Sequence, residues 1–79
     1  MSDVQRALDI KGIKAAEFWQ DRGRKCGVAF DATTGQEYDL WRERGRWHAS
    51  DDYGAVTSGW TLRQAIEKAR RTDKARQAN

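Results

Sequence analysis

The chain contains one cysteine, one histidine and no long apolar run, and each shortage excludes a class of protein. With Cys26 alone, no internal disulfide can form. With His48 as the single histidine, the Cys and His ligands of a structural zinc site are missing. Residues 1–6 contain no apolar run, so no signal peptide is expected, and no stretch is long enough to span a membrane. We therefore expect a cytoplasmic protein with no membrane partner.

Motifs for catalysis and cofactor binding are also missing. The sequence contains no glycine-rich phosphate loop and no serine nucleophile elbow. Cys26 and His48 are the one obvious nucleophile–base pair, but the strand patterns below place them on opposite faces of a sheet. We expect no enzymatic activity, no metal and no cofactor.

The length and charge of the chain set further bounds. Its 79 residues suit one domain, residues 1–79, with a thin core, so the four tryptophans must supply much of the buried apolar area. The net charge is +3, and ten of the fifteen cations are arginine, which suits carboxylates, phosphates and aromatic faces. Because twelve acidic residues are also present, this composition permits a polyanionic partner without requiring one.

The N-terminal part of the chain is predicted to be helical over residues 2–22. Ile13, Ala16 and either Trp19 or Phe18 recur on helical spacing, and Gly12 interrupts the pattern. We expect one bent helix or two short ones.

The middle of the chain predicts antiparallel strands. A three-residue loop at 33–35 would pair Phe30 with Tyr38 and Val28 with Leu40, so that all four side chains share the core face.

The segment 41–48, WRERGRWH, predicts the next hairpin. A two-residue loop at 44–45, or a four-residue loop at 43–46, places Trp47 in the core and Trp41 on the opposite face. The face without cover is then expected to carry Ala29, Asp31, Glu37, Asp39, Trp41, Arg46, His48 and Ser50.

The last predicted element is an amphipathic helix that Thr61 caps. Its apolar stripe consists of Leu62, Ala65, Ile66 and Ala69, and residues 72–79 are expected to fray. The predicted fold is therefore α+β: an N-terminal helix or two short helices, a three-stranded antiparallel meander and a C-terminal helix, with the helices on one face of the sheet. No internal repeat is expected.

Two groups of side chains are candidates for binding. An exposed tryptophan among arginines has the composition of a protein interface, and the partner-binding set is Trp41, Arg42, Arg44, Arg46 and His48. Cations near the first loop and on the last helix could instead contact phosphates, and this alternative set is Arg22, Arg24, Lys25, Arg63, Lys68, Arg70 and Arg71. The competing interpretation of both sets is ordinary cross-strand packing and solvated helix cations.

The predicted element order resembles that of the double-stranded RNA-binding domain, whose last helix begins with basic residues. Here that helix begins Thr61-Leu62-Arg63-Gln64, with Arg63 as the cation of its first turn. A three-stranded sheet with a helix also resembles the DNA-binding arm domains of phage integrases. In size and character the chain resembles the small inhibitors encoded by phages and mobile elements, among them anti-CRISPR proteins. These resemblances imply a protein or nucleoprotein partner, or else nucleic acid.

The expected function is therefore a non-enzymatic binding protein that acts stoichiometrically on a protein or nucleoprotein complex. The alternative is a nucleic-acid-binding module. The sequence leaves open the oligomeric state and whether the basic clusters share one surface.

Overall fold

The computed structural model describes residues 2–78 as one sheet with a helix at each end of the chain. The elements are α1 (Asp3–Leu8), β1 (Ile13–Asp21), β2 (Arg24–Asp31), β3 (Gln36–Glu43), β4 (Arg46–Ser50), β5 (Val56–Gly59) and α2 (Leu62–Gln77). The strands form an antiparallel meander in the order β1–β2–β3–β4–β5, and both helices contribute to one core on the same face. The α+β class is confirmed, but the expected three strands are wrong, because there are five.

The N-terminal helix is much shorter than expected. The Ser2 hydroxyl caps α1 by accepting a hydrogen bond from the Gln5 backbone N–H at 3.1 Å. Gly12 then adopts a φ of +95°, a conformation that suits glycine, and the chain turns into β1.

Residues 13–21 form the edge strand β1, so the prediction of a helix there is wrong. The pairing with β2 is shifted between Ile13 and Ala15, which marks a β-bulge. Because the bulge adds one residue, the side chains that face the core are Ile13, Ala16 and Phe18. Ile13 and Ala16 are therefore three residues apart, a spacing that is also typical of one face of a helix.

The turns at 22–23 and 44–45 are two-residue Arg-Gly loops. All four residues have positive φ angles, between 53° and 77°, as a type I′ turn requires. The two hairpins share the pattern Trp-x-acid-Arg-Gly-Arg, at 19–24 and at 41–46. This short repeat contradicts the expectation of no internal repeat. It places both Arg-Gly turns at the same end of the sheet.

The turn between β2 and β3 contains four residues, 32–35, instead of the expected three. Phe30 therefore does not pair with Tyr38, and the slip of one residue turns the whole of β2 over. Val28 and Phe30 lie on the face without helices, contrary to expectation, and Ala29 and Asp31 lie in the core.

The core lies between the sheet and the two helices. The predicted inward residues of the second hairpin are confirmed, because Tyr38, Leu40, Trp47 and Ala49 are all buried. So is the predicted helix stripe, Leu62, Ala65, Ile66 and Ala69. Neither α1 nor α2 is long and apolar enough to cross a membrane.

The C-terminal helix α2 continues to Gln77, so residues 72–77 of the segment that is expected to fray are helical in the structure. Asp73 is 4% exposed and accepts a hydrogen bond from the Gln36 side chain. Arg76 contacts the buried carboxylate of Asp51 at 2.9 Å. These polar contacts hold the last turns of the helix where the apolar pattern has ended.

Gly27 lies directly beneath the Phe18 ring, its cross-strand neighbour. A Cβ at this position would come within 2.4 Å of a ring carbon of Phe18. We therefore expect Gly27→Ala to lower the free energy of unfolding by about 1–3 kcal/mol, measured by urea denaturation. The cost should shrink when Phe18→Ala is also present, and equal costs in both backgrounds would contradict this packing.

Candidate functional site

The helices leave one face of the sheet without cover, and we call it the outer face. One row of cross-strand neighbours crosses all five strands on this face. This tryptophan row consists of Trp19, Cys26, Trp41, His48 and Ser58. Trp19 is 47% exposed and lies two residues before the end of the edge strand β1. An aromatic row on an open sheet face is unusual for a surface that meets only water.

The ring of Trp41 is held in place by its neighbour on β4. The Trp41 and His48 rings are stacked, with centroids 5.4 Å apart and planes 16° apart. His48 Nδ1 and Ser58 Oγ lie 2.8 Å apart in a hydrogen bond that fixes the imidazole. Since His48 covers one face of the Trp41 indole, the other face is directed toward β2.

A second row, next to the tryptophan row and nearer the Arg-Gly turns, alternates in charge. It consists of Asp21, Arg24, Glu43 and Arg46. Arg24 and Glu43 form an exposed salt bridge of 3.5 Å. The guanidinium of Arg46 lies 4.8 Å from the ring centroid of Trp60, which is 66% exposed. This row places both signs of charge beside the aromatic rings.

The structure brings together part of the predicted partner-binding set. Trp41, Arg46 and His48 are neighbours on the outer face. Arg44 lies in the adjoining turn, whereas Arg42 lies opposite Trp47 and so belongs to the inward-facing side, at its exposed end.

Two aromatic residues of this surface, Trp19 and Trp60, were not predicted as site residues. For Trp19 a signal exists, because it occupies the position in the first hairpin that Trp41 occupies in the second.

Four carboxylates on the outer face have no salt-bridge partner among residues 2–78. They are Glu17, Asp21, Glu37 and Asp39, which are all exposed. The expectation that Glu37 and Asp39 lie on the face without helices is confirmed, whereas Asp31, which was expected beside them, lies in the core. Beside the carboxylates, Phe30 and its neighbours line a shallow depression of about 280 Å³.

The cations beside the first Arg-Gly turn and those beside the second share one surface. Arg24 and Lys25 of the first hairpin line the same shallow depression as Arg42 and Arg44 of the second. Arg22 lies in the first Arg-Gly turn beside it. Lys25 is already paired with a carboxylate of α1, at 3.1 Å.

The remaining cations of the nucleic-acid set lie on α2, on the other side of the sheet. Arg63 is 4.0 Å from Glu67, and Lys68 donates a hydrogen bond of 2.7 Å to the Ser58 backbone carbonyl. Arg71 is exposed. Arg70 is engaged within the molecule, so the structure does not assemble the seven cations into one patch.

Arg70 belongs to a polar network that ties α2 to the turn after β2. Its guanidinium donates to both carboxylate oxygens of Asp31, at 2.7 and 3.1 Å. Asp31 also accepts hydrogen bonds from Thr33 and from the Tyr38 hydroxyl. Burial alone would raise the pKa of the Asp31 carboxyl, but these hydrogen bonds outweigh it and hold that pKa below its ordinary value of 3.8. Burial raises the pKa of Tyr38 to about 12.

Cys26 and His48 were expected on opposite faces, and this expectation is wrong. Both lie on the outer face, because β2 is turned over, but Trp41 stands between them in the row. Within residues 2–78, no three His, Cys, Asp or Glu side chains are grouped to hold a metal ion. The outer face carries aromatic rings, arginines and carboxylates.

Comparison of the chain with protein-family models, with curated protein sequences and with solved structures gives no significant match.

Proposed function

We propose that this chain is a non-enzymatic binding protein that forms a stoichiometric complex with a protein, or with the protein part of a nucleoprotein. The observation that carries this proposal is the tryptophan row on a sheet face that no helix covers. The binding surface is the outer face around Trp19 and Trp41, bordered by Arg46 and Trp60. In size and character the chain is similar to the small inhibitors that phages and mobile elements encode.

The composition of the outer face favours a protein over nucleic acid. Tryptophan and arginine are the residues that dominate the energetic centres of protein interfaces. Five carboxylates share this face with two arginines of the strands: Glu17, Asp21, Glu37, Asp39 and Glu43 beside Arg24 and Arg46. A phosphate backbone laid across the face would meet this excess of negative charge, whereas a protein of mixed charge could complement it.

Photo-crosslinking from a single cysteine tests which face meets the partner. In a Cys26→Ser background, Ala15→Cys places a thiol on the outer face and Ala75→Cys places one on α2, and both positions are exposed. After labelling with a benzophenone maleimide, we expect the Ala15→Cys variant to crosslink to a protein in cell extract. The Ala75→Cys variant should give no such product. Crosslinking should disappear when Trp19→Ala and Trp41→Ala are added, because the rings supply the contact.

Arg71→Ala is the matched surface control, since Arg71 is exposed on α2, away from the outer face. This substitution should leave the yield of the crosslinked product unchanged. Nuclease treatment of the extract should leave the yield unchanged as well. Equal crosslinking from residues 15 and 75, or a product that survives loss of both tryptophans, would refute the assignment of the outer face.

The second candidate function is nucleic-acid binding by the end of the sheet that carries the Arg-Gly turns. It is favoured by the depression that both hairpins line with cations. Fluorescence polarisation with labelled duplex RNA, duplex DNA and single strands, at low and near-physiological salt, decides between the two. Binding that survives the higher salt and prefers one form would replace the protein proposal, since unspecific phosphate contacts weaken steeply with salt.

A further inference from the structure

We infer that the outer face contains a receptor for an arginine side chain on the partner protein, an inference that rests on the proposed function. The receptor is a cup above β2. Its floor is Cys26 and Val28, and its walls are formed by β1 and β3 on either side.

The walls of the cup repeat one sequence pattern, acid–apolar–tryptophan. On β1 the outward residues are Glu17 and Trp19, and on β3 they are Asp39 and Trp41. The two pairs lie across β2 from each other, because Glu17 and Asp39 both neighbour Val28, and Trp19 and Trp41 both neighbour Cys26. Strands lie about 4.8 Å apart, so the backbones of the two walls are about 10 Å apart. We place the guanidinium of the partner above β2, between these two tryptophan positions.

The floor is small and apolar, which leaves the space open. Cys26 and Val28 are both half-buried, and outward positions two residues apart are separated by about 7 Å. The Arg24–Glu43 salt bridge lies at the end near the turns, and at the other end Glu17 and Val28 line a shallow depression together with Phe30. The cup therefore suits a single long side chain entering from above the sheet.

The charge of the cup identifies its occupant. The Arg24 at its end is already neutralised by Glu43, whereas Glu17 and Asp39 in its walls have no ionic partner among residues 2–78. Two tryptophan rings with two unpaired carboxylates attract a cation and repel an anion. A guanidinium is preferred over an ammonium, because it is planar and stacks on aromatic faces.

The chain itself contains contacts of this kind. Arg46 lies 4.8 Å from the ring centroid of Trp60, and Arg76 lies 4.3 Å from that of Tyr53. In the cup the arginine would instead come from the partner, and a second ring and two carboxylates would act on it.

Titration of the full ¹⁵N-labelled chain with a defined peptide tests the inference. The probe is acetyl-Thr-Arg-Thr-Arg-Thr-amide, and its control replaces both arginines by citrulline, which keeps the shape and removes the charge. We expect the arginine peptide to shift the indole N–H signals of Trp19 and Trp41, while that of buried Trp47 stays in place. The citrulline peptide should produce no comparable shift.

Matched carboxylate variants separate the cup from general surface charge. Glu17→Gln with Asp39→Asn should raise the dissociation constant of the arginine peptide about tenfold. Asp52→Asn, an exposed aspartate on the turn after β4, should leave it nearly unchanged. Equal binding of the citrulline peptide, or equal effects of the two charge changes, would overturn the inference.

The outcomes also separate this inference from the proposed function. If the partner crosslinks at residue 15 and the arginine peptide does not bind, the arginine receptor is refuted and the docking face stands. If crosslinking fails as well, the docking face is refuted too. Sedimentation at two concentrations identifies self-association: a dimer abolished by Arg44→Ala would make a second copy the source of the arginine and overturn the partner assignment.

Discussion

Trp47→Ala is expected to unfold much of the protein at room temperature, with a loss of about 3–5 kcal/mol in the free energy of unfolding. Trp47 is 6% exposed in the core, and the Phe18 ring meets it edge-on with centroids 5.8 Å apart. A domain of this size has a total stability of only a few kcal/mol. Circular dichroism during thermal or urea denaturation measures the loss.

Trp41→Ala provides the matched control, because it removes the same side chain one strand away on the opposite face. Trp41 is half-buried and stacks on His48, so its removal should cost about 1 kcal/mol or less. The variant should therefore stay folded and lose partner binding. Equal melting of the two variants would contradict the assignment of their faces.

The second hairpin could be predicted from the sequence because two independent signals agree there. An Arg-Gly turn of two residues and the alternation of Leu40 with Trp41, and of Trp47 with His48, give the same register. Trp41, Arg46 and His48 were therefore assigned to the correct face of the sheet.

Strand β2 could not be oriented by the same reasoning. Val28 and Phe30 are more hydrophobic than Ala29 and Asp31, yet they lie on the outer face. The inward position of Asp31 depends on Arg70, which lies 39 residues later in the chain. Hydrophobicity alone cannot predict a buried carboxylate whose partner comes from a distant helix.

Strand β1 was not predicted because the β-bulge shifts the alternation of its inward and outward side chains. Trp19 was therefore not recognised as a site residue. The repeat of Trp-x-acid-Arg-Gly-Arg at 19–24 and 41–46 carries the missing information, since a motif that makes a hairpin once can make it twice. Trp60 has no such signal. Its place over the outer face follows from β5 and its contact with Arg46.

The second large effect is expected for Asp31→Asn, with a loss of about 3–5 kcal/mol. The Asp31 side chain is fully buried and forms a salt bridge of 2.7 Å with Arg70, which is 23% exposed. Asparagine keeps the shape but removes the charge, so the guanidinium loses its ionic partner while it remains partly buried. Urea denaturation at pH 7 measures the change.

The same network predicts the response of the protein to acid. Because hydrogen bonds hold the pKa of Asp31 below its ordinary value of 3.8, the native state takes up the proton less readily than the unfolded chain does. The stabilisation is therefore fully present well above the ordinary value of 3.8, and it is lost as the pH falls from near that value through the lower pKa of the native state. The pKa of Asp51 is also lowered, since hydrogen bonds from Arg76 and two backbone N–H groups outweigh its burial, so Asp51 adds to the acid response with the same sign.

Asp31→Asn should thus remove part of the acid response as well as stability, leaving the part that Asp51 contributes. Asp52→Asn is the control for a change of charge alone, because Asp52 is exposed on the neighbouring turn, and it should unfold like the wild type at pH 7 and at pH 3. A variant Asp31→Asn that lost stability at pH 7 but kept the full acid response would mean that shape, and not the ion pair with Arg70, accounts for the loss. An unchanged stability at pH 7 would show that Arg70 finds a substitute for the carboxylate when α2 packs against the turn.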